Sequence, residues 1–97
     1  MTYRSDREIT LSTGTVVAMR APRVRDELRA LEDFRVYLWP ERLRDVLLAR
    51  VITRFGARDS VAVERLAELA EDDIAALERA YLDLERGFED GGRDGAR

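Results

Sequence analysis

Between Trp39-Pro40 and Gly56 lies PERLRDVLLARVITRF, the stretch that most constrains what this chain can fold into. The residue before a proline is pushed out of the α region, so no helix runs on through Trp39. Pro40 suits a first helical turn and Gly56 the position just past a last one. Between them Leu43, Val46, Leu47, Leu48, Val51, Ile52 and Phe55 cover more than half of a helical circumference. A helix that apolar must be covered on most sides. It is expected to be the central, most buried element, helix two, with the other segments packed around it.

Before that helix the pattern changes period. In REITLS, Ile9 and Leu11 alternate with Glu8, Thr10 and Ser12, and VVAM from Val16 is β-branched at its start. Gly14, in STGT, supplies a turn. A β-hairpin is predicted over roughly 7–12 and 15–20. Two strands alone are marginal in water, so the hairpin must lie on helices or pair with another chain. Pro22 ends it and opens helix one, expected over about 23–37. Val24, Leu28, Leu31 and Leu38, with Phe34 beside them, are spaced as a helix face, and Val24 and Leu28 are expected to turn inward. Asp26 and Glu27 fall in the first turn, where the helix dipole favours acids.

After Gly56, Asp59 or Ser60 can cap a short third helix, VAVERLAEL. A long fourth helix is predicted over about 72–88, with Glu71, Asp72 and Asp73 read as its capping group rather than a metal site. Ile74, Leu77, Tyr81, Leu84 and Phe88 step by 3, 4, 3 and 4, a coiled-coil-like stripe. That stripe either packs on the domain's own core or forms a seam for a partner helix or a second copy. Trp39, the sole tryptophan, either plugs the bend between helices or stands out as a partner anchor. The whole reads as an α+β fold, mostly α. An N-terminal hairpin and three to four amphipathic helices form one domain over 1–89, followed by a disordered tail over 90–97.

Composition narrows the chemistry. The 97 residues include no cysteine and no histidine, which removes disulfides, thiolate nucleophiles and the commonest general base and zinc ligand. No enzyme activity, cofactor or metal is expected. No apolar run approaches the roughly 20 residues that span a bilayer, and the N-terminal MTYRSDREIT lacks a signal-peptide core, so a cytoplasmic location is expected. Residues 1–58 carry 12 arginines against 8 acids, and residues 59–97 carry 5 against 12. Arg20, Arg23 and Arg25 cluster around Pro22, but acids follow at once and the nearby aromatics are not interleaved for base stacking. The arginines are expected to be solvated neighbours of those acids, and nucleic-acid binding is not expected.

The order of elements carries a resemblance. The hairpin REITLSTGTVVAMR leads into a joint of Arg20, Pro22, Val24 and Asp26, and Leu66, Leu69, Asp73 and Leu77 follow near the end. This resembles the small tail assembly chaperones of long-tailed bacteriophages, in particular those of Mu-like, contractile-tailed phages and prophages. The likeness extends over about residues 7–88. It implies a non-catalytic role in the bacterial host cytoplasm. There the protein would coat the apolar, helical tape measure protein, help recruit tail tube subunits, and be absent from the mature particle. Partner contact would then fall on Trp39, Ile74, Leu77, Tyr81, Leu84 and Phe88. Two other readings stand beside it: a minor structural component retained in a tail or contractile injection particle, and a small DNA-binding regulator read through helix two.

Overall fold

The computed structural model describes the backbone from Asp6 to Asp94 and side chains from Arg7 to Arg86. Strands β1 (Asp6–Thr10) and β2 (Val16–Arg20) form the expected hairpin, with Asp6 opposite Arg20 and Thr10 opposite Val16. Gly14 turns the loop at φ 90°, a region costly for any residue with a Cβ, while Leu11 N–H donates to the Thr15 carbonyl at 2.8 Å. Alternation along β2 puts Val17 and Met19 fully inside.

Two boundaries differ from expectation. Helix one is two helices, α1 (Val24–Leu31) and α2 (Phe34–Leu38). Asp33 leaves the helical region at ψ 127°, and its Oδ1 accepts the Arg35 N–H at 2.8 Å, so it caps a new helix instead of continuing the old one. The central helix is shorter than predicted. A 3-10 turn at Pro40–Arg42 leads into α3 (Leu43–Val51), and Ile52–Phe55 leaves the helix as a third strand, β3.

The reason lies in the residues. Val51, Ile52 and Thr53 are β-branched, poor in a helix and good on a pleated surface. An apolar run this short fits either period. β3 pairs antiparallel with β2, Val17 opposite Phe55, making a three-stranded sheet in the order β1-β2-β3. Gly56 therefore ends a strand: at φ 62° its N–H donates to the Val16 carbonyl at 2.8 Å.

Helices α4 (Val63–Ala67) and α5 (Glu71–Asp94) complete the chain. The backbone of α5 continues past 88, so residues 90–94 are helical where a disordered tail was expected. Once a helix is nucleated, each further residue adds a hydrogen bond at little cost. Residues 95–97 of that expected tail lie outside the described residues.

The main core joins Leu11, Val17 and Met19 of the hairpin to Leu48, Val51, Ile52 and Phe55, and to Leu66, Ile74, Leu77, Ala80, Tyr81 and Leu84. Each fully buried large side chain here, Met19, Leu48, Leu66 or Leu77, stabilises the fold by roughly 1.5–3 kcal/mol. A smaller cluster of Ala30, Val36, Val46 and Val63 binds α1, α2 and α4 to the other side of α3. Helix α3 thus takes part in both clusters, as its nearly continuous apolar circumference requires. Among its residues only Arg44 is exposed, so the helix considered as a DNA reader has almost no surface to present.

Polar pins hold the layers in register. Asp73 was expected to cap α5. Its carboxylate instead accepts Ser12 N–H at 2.9 Å and Ser12 Oγ–H at 2.7 Å, fastening the hairpin loop to the head of α5. Arg7 pairs with Asp83 at 3.3 Å further along the same helix.

Candidate functional site

The residues expected to meet a partner separate into two groups. Ile74, Leu77, Tyr81 and Leu84 are buried in the main core, covered by the sheet and α3 of the same chain. As a docking surface the stripe is therefore corrected: the hairpin needs an apolar support, and α5 is that support. The side chain of Phe88 lies outside the described residues. Trp39 is 49% exposed at the end of α2, an open position rather than a core plug.

The larger surprise is α1. Val24 and Leu28, expected to point inward, are 73% and 56% exposed, Leu31 beside them is 59% exposed, and Asp26 and Ala30 are buried in their place. At 3.6 residues per turn, Asp26 and Ala30 lie on the opposite side of the helix from the leucines. The cause is the joint Arg20-Pro22-Val24-Asp26. Arg20 donates Nη1–H and Nη2–H to the two carboxylate oxygens of Asp26 at 2.8 and 2.9 Å, a bidentate clasp.

The clasp is backed on every side. Arg20 Nη2 also donates to the Arg50 carbonyl at 3.0 Å, Arg50 Nε to Asp26 at 3.3 Å, and the Arg23 N–H to Asp26 at 2.8 Å. Arg20 is thus no solvated surface charge, and Asp26 ties β2, α1 and α3 together. The Arg20 guanidinium, with help from Arg23 N–H and Arg50, pushes the Asp26 carboxyl down to about 2 despite its burial. Arg20 is correspondingly raised.

Helix α2 repeats the arrangement. Val36 is its buried residue and joins Ala30 in the smaller cluster, whereas Phe34, Tyr37 and Leu38 are 68%, 85% and 53% exposed. Both helices bury one side against the same cluster, so their stripes lie on the outer side of one layer. Arg35 fixes α2 from below, donating to Asp33 at 2.9 Å and to Glu64 of α4 at 3.2 Å. Arg35 holds the Asp33 carboxyl below its usual value and is itself raised by it.

The result is a run of seven large apolar side chains between Val24 and Trp39, each about half exposed or more. Three of them are aromatic groups of roughly 150–250 Å² apiece. Large exposed apolar side chains crowded into one short segment are uncommon on monomeric soluble domains. The spacing of Val24, Leu28 and Leu31 reveals an amphipathic helix but not its orientation. The one available hint was that the opposite side holds Ala30 and an acid within reach of arginines.

Chemically the surface offers burial and little else. Among the described residues no cluster of three or more metal-ligating side chains occurs, and no helix is long and apolar enough to cross a membrane. No family model, no curated protein and no solved structure matches this chain.

Proposed function

We propose that the protein is a non-catalytic binding protein that shields an apolar helical segment of another protein, acting as a tail assembly chaperone for a tape measure protein. The observation that carries this reading is the uncovered α1–α2 face, Val24, Leu28, Leu31, Phe34, Tyr37, Leu38 and Trp39. An apolar helix laid on such a face hides its own stripe and the host's together, the general mode of helix-in-groove recognition. The strongly charged remainder of the surface would keep the pair in solution. Relative to the sequence expectation the contact surface moves from the α5 stripe to α1–α2, with Trp39 common to both.

The test is co-expression with a tape measure protein and measurement of how much of that protein stays soluble. Wild type should raise the soluble share, and Leu28→Asp with Tyr37→Asp should abolish the rise while keeping a native circular dichroism spectrum. Equal rescue by the double variant would remove α1–α2 from the reading. Detection of the protein in purified particles would convert it to a retained structural component.

A further inference from the structure

We infer that a groove between α1, α3 and α4 is a site for a carboxylate carried on a short aliphatic group, gripped by Arg29 and Arg50. None of the seven exposed side chains of the α1–α2 face lines it, so the site does not depend on what covers that face. The groove has a volume of about 340 Å³, within the range of small-ligand sites. Val46, Ala49 and Val63 give it an apolar floor, and Arg29, Arg35, Arg50, Asp33 and Glu64 give it a charged wall. Arg29 stands one turn after Asp26 on α1. The clasp that turns Asp26 inward therefore carries Arg29 into the same lining as Arg50 of α3.

The charges of this lining do not cancel within it. Arg35 occupies both acids, its Nε and Nη2 on Asp33 at 3.0 and 2.9 Å and its Nη1 on Glu64 at 3.2 Å. Arg50 reaches Asp26 through Nε, and Asp26 already has Arg20. The two terminal nitrogens of Arg50 make no hydrogen bond among the described residues. Arg29 makes no ion pair among them either, although Glu32 and Asp33 stand three and four residues on. Two guanidinium groups with unused donors thus line a groove whose acids are already engaged.

That arrangement selects the ligand class. Guanidinium groups grip carboxylate oxygens through paired N–H donors. Three arginines against two acids leave an excess of one positive charge, which a single carboxylate matches. A phosphate monoester, with about two negative charges, would press against Asp33 and Glu64. The floor holds no polar side chain and suits a few aliphatic carbons. A protein chain ending in valine or leucine and a free branched-chain acid share this chemistry.

The full protein, isotope-labelled, is titrated with isovalerate and with isovaleramide, the same carbon skeleton without the charge. Backbone N–H and arginine Nε–H signals are followed by nuclear magnetic resonance. Isovalerate should shift the signals of Arg29, Arg50 and Val63, and the amide should bind roughly tenfold more weakly. Arg29→Gln should weaken isovalerate to the level of the amide, while Arg25→Gln, outside the lining, should leave its binding unchanged. Both variants should keep a native circular dichroism spectrum, since both positions are exposed.

A short peptide ending in valine, with its terminus free or amidated, separates the two sources. Tighter binding of the free-ended peptide than of isovalerate assigns the site to a protein C-terminus, and the reverse order assigns it to a small free acid. Equal binding of isovalerate and isovaleramide, unchanged affinity in Arg29→Gln, or tighter binding of inorganic phosphate would each overturn the site. So would the absence of any shift with either probe.

Discussion

Helices α5 and α1 look alike on paper and end up facing opposite ways. Each carries a regular apolar stripe, Ile74-Leu77-Tyr81-Leu84 on one and Val24-Leu28-Leu31 on the other. The first is at most 8% exposed; no member of the second is less than 56% exposed. The difference lies in what each helix offers on its other side. Away from its stripe helix α5 has charged and small residues and one half-exposed leucine, Leu82, so the stripe is the face best able to support the hairpin. Helix α1 has Asp26, which becomes a good buried residue once Arg20, Arg50 and the Arg23 N–H satisfy it. Amphipathicity states that a face is to be covered; it does not state by which molecule.

The largest effect that sharpens this contrast is a truncation in the covered stripe. Leu77→Ala should cost about 3 kcal/mol in urea unfolding, as for a fully enclosed leucine whose neighbours cannot close the gap. A loss below about 1 kcal/mol would place α5 away from the core.

Next comes the clasp that turns α1 outward. Asp26→Asn should destabilise by about 2 kcal/mol, less than a fully buried pair would because both guanidinium groups partly reach solvent. The pH dependence has a definite sign. The folded carboxyl sits at about 2, below its usual value near 4, so its stabilisation is complete above pH 4 and is lost as pH falls toward 2. Acid unfolding monitored by circular dichroism should therefore show a steeper loss below pH 4 in wild type than in the Asn variant. Matching acid limbs would contradict the clasp.

A smaller effect, of opposite sign, concerns Tyr81. Its hydroxyl is buried with no hydrogen-bond partner among the described residues, and burial, aided by Glu85, Glu27 and Asp26, pushes it up to about 12. Removing an unsatisfied buried hydroxyl should be neutral or stabilising by up to about 1 kcal/mol, so Tyr81→Phe should raise the urea midpoint slightly. A marked loss would show that the hydroxyl has a partner.

The smallest change in stability, with the clearest contrast to Leu77, belongs to Leu28→Ser. An exposed position should move stability by no more than about 0.5 kcal/mol. Binding of a hydrophobic dye such as ANS should fall, because the face loses part of its apolar area. Unfolding comparable to Leu77→Ala would mean that α1 faces the core after all.

Much of the architecture was legible in the chain. The period-two alternation of Ile9 and Leu11, the β-branched start at Val16, the turn at Gly14, the break at Trp39-Pro40 and the stripe of α5 are local signals, and local backbone preference with side-chain period suffices to read them. The lack of histidine and cysteine is likewise a property of the sequence alone. Three features were decided only by tertiary structure. Ile52–Phe55 joined the sheet because the exposed edge of β2 offered hydrogen bonds that a helix end did not. Asp33 divided helix one because its carboxylate caps the segment that packs Val36 beside Ala30. The uncovered face arose because Arg20 and Arg50, six and twenty-four residues from Asp26, converge on it. Burial of a charge depends on partners brought together by the fold, so no local pattern could show which side of α1 would be turned toward solvent.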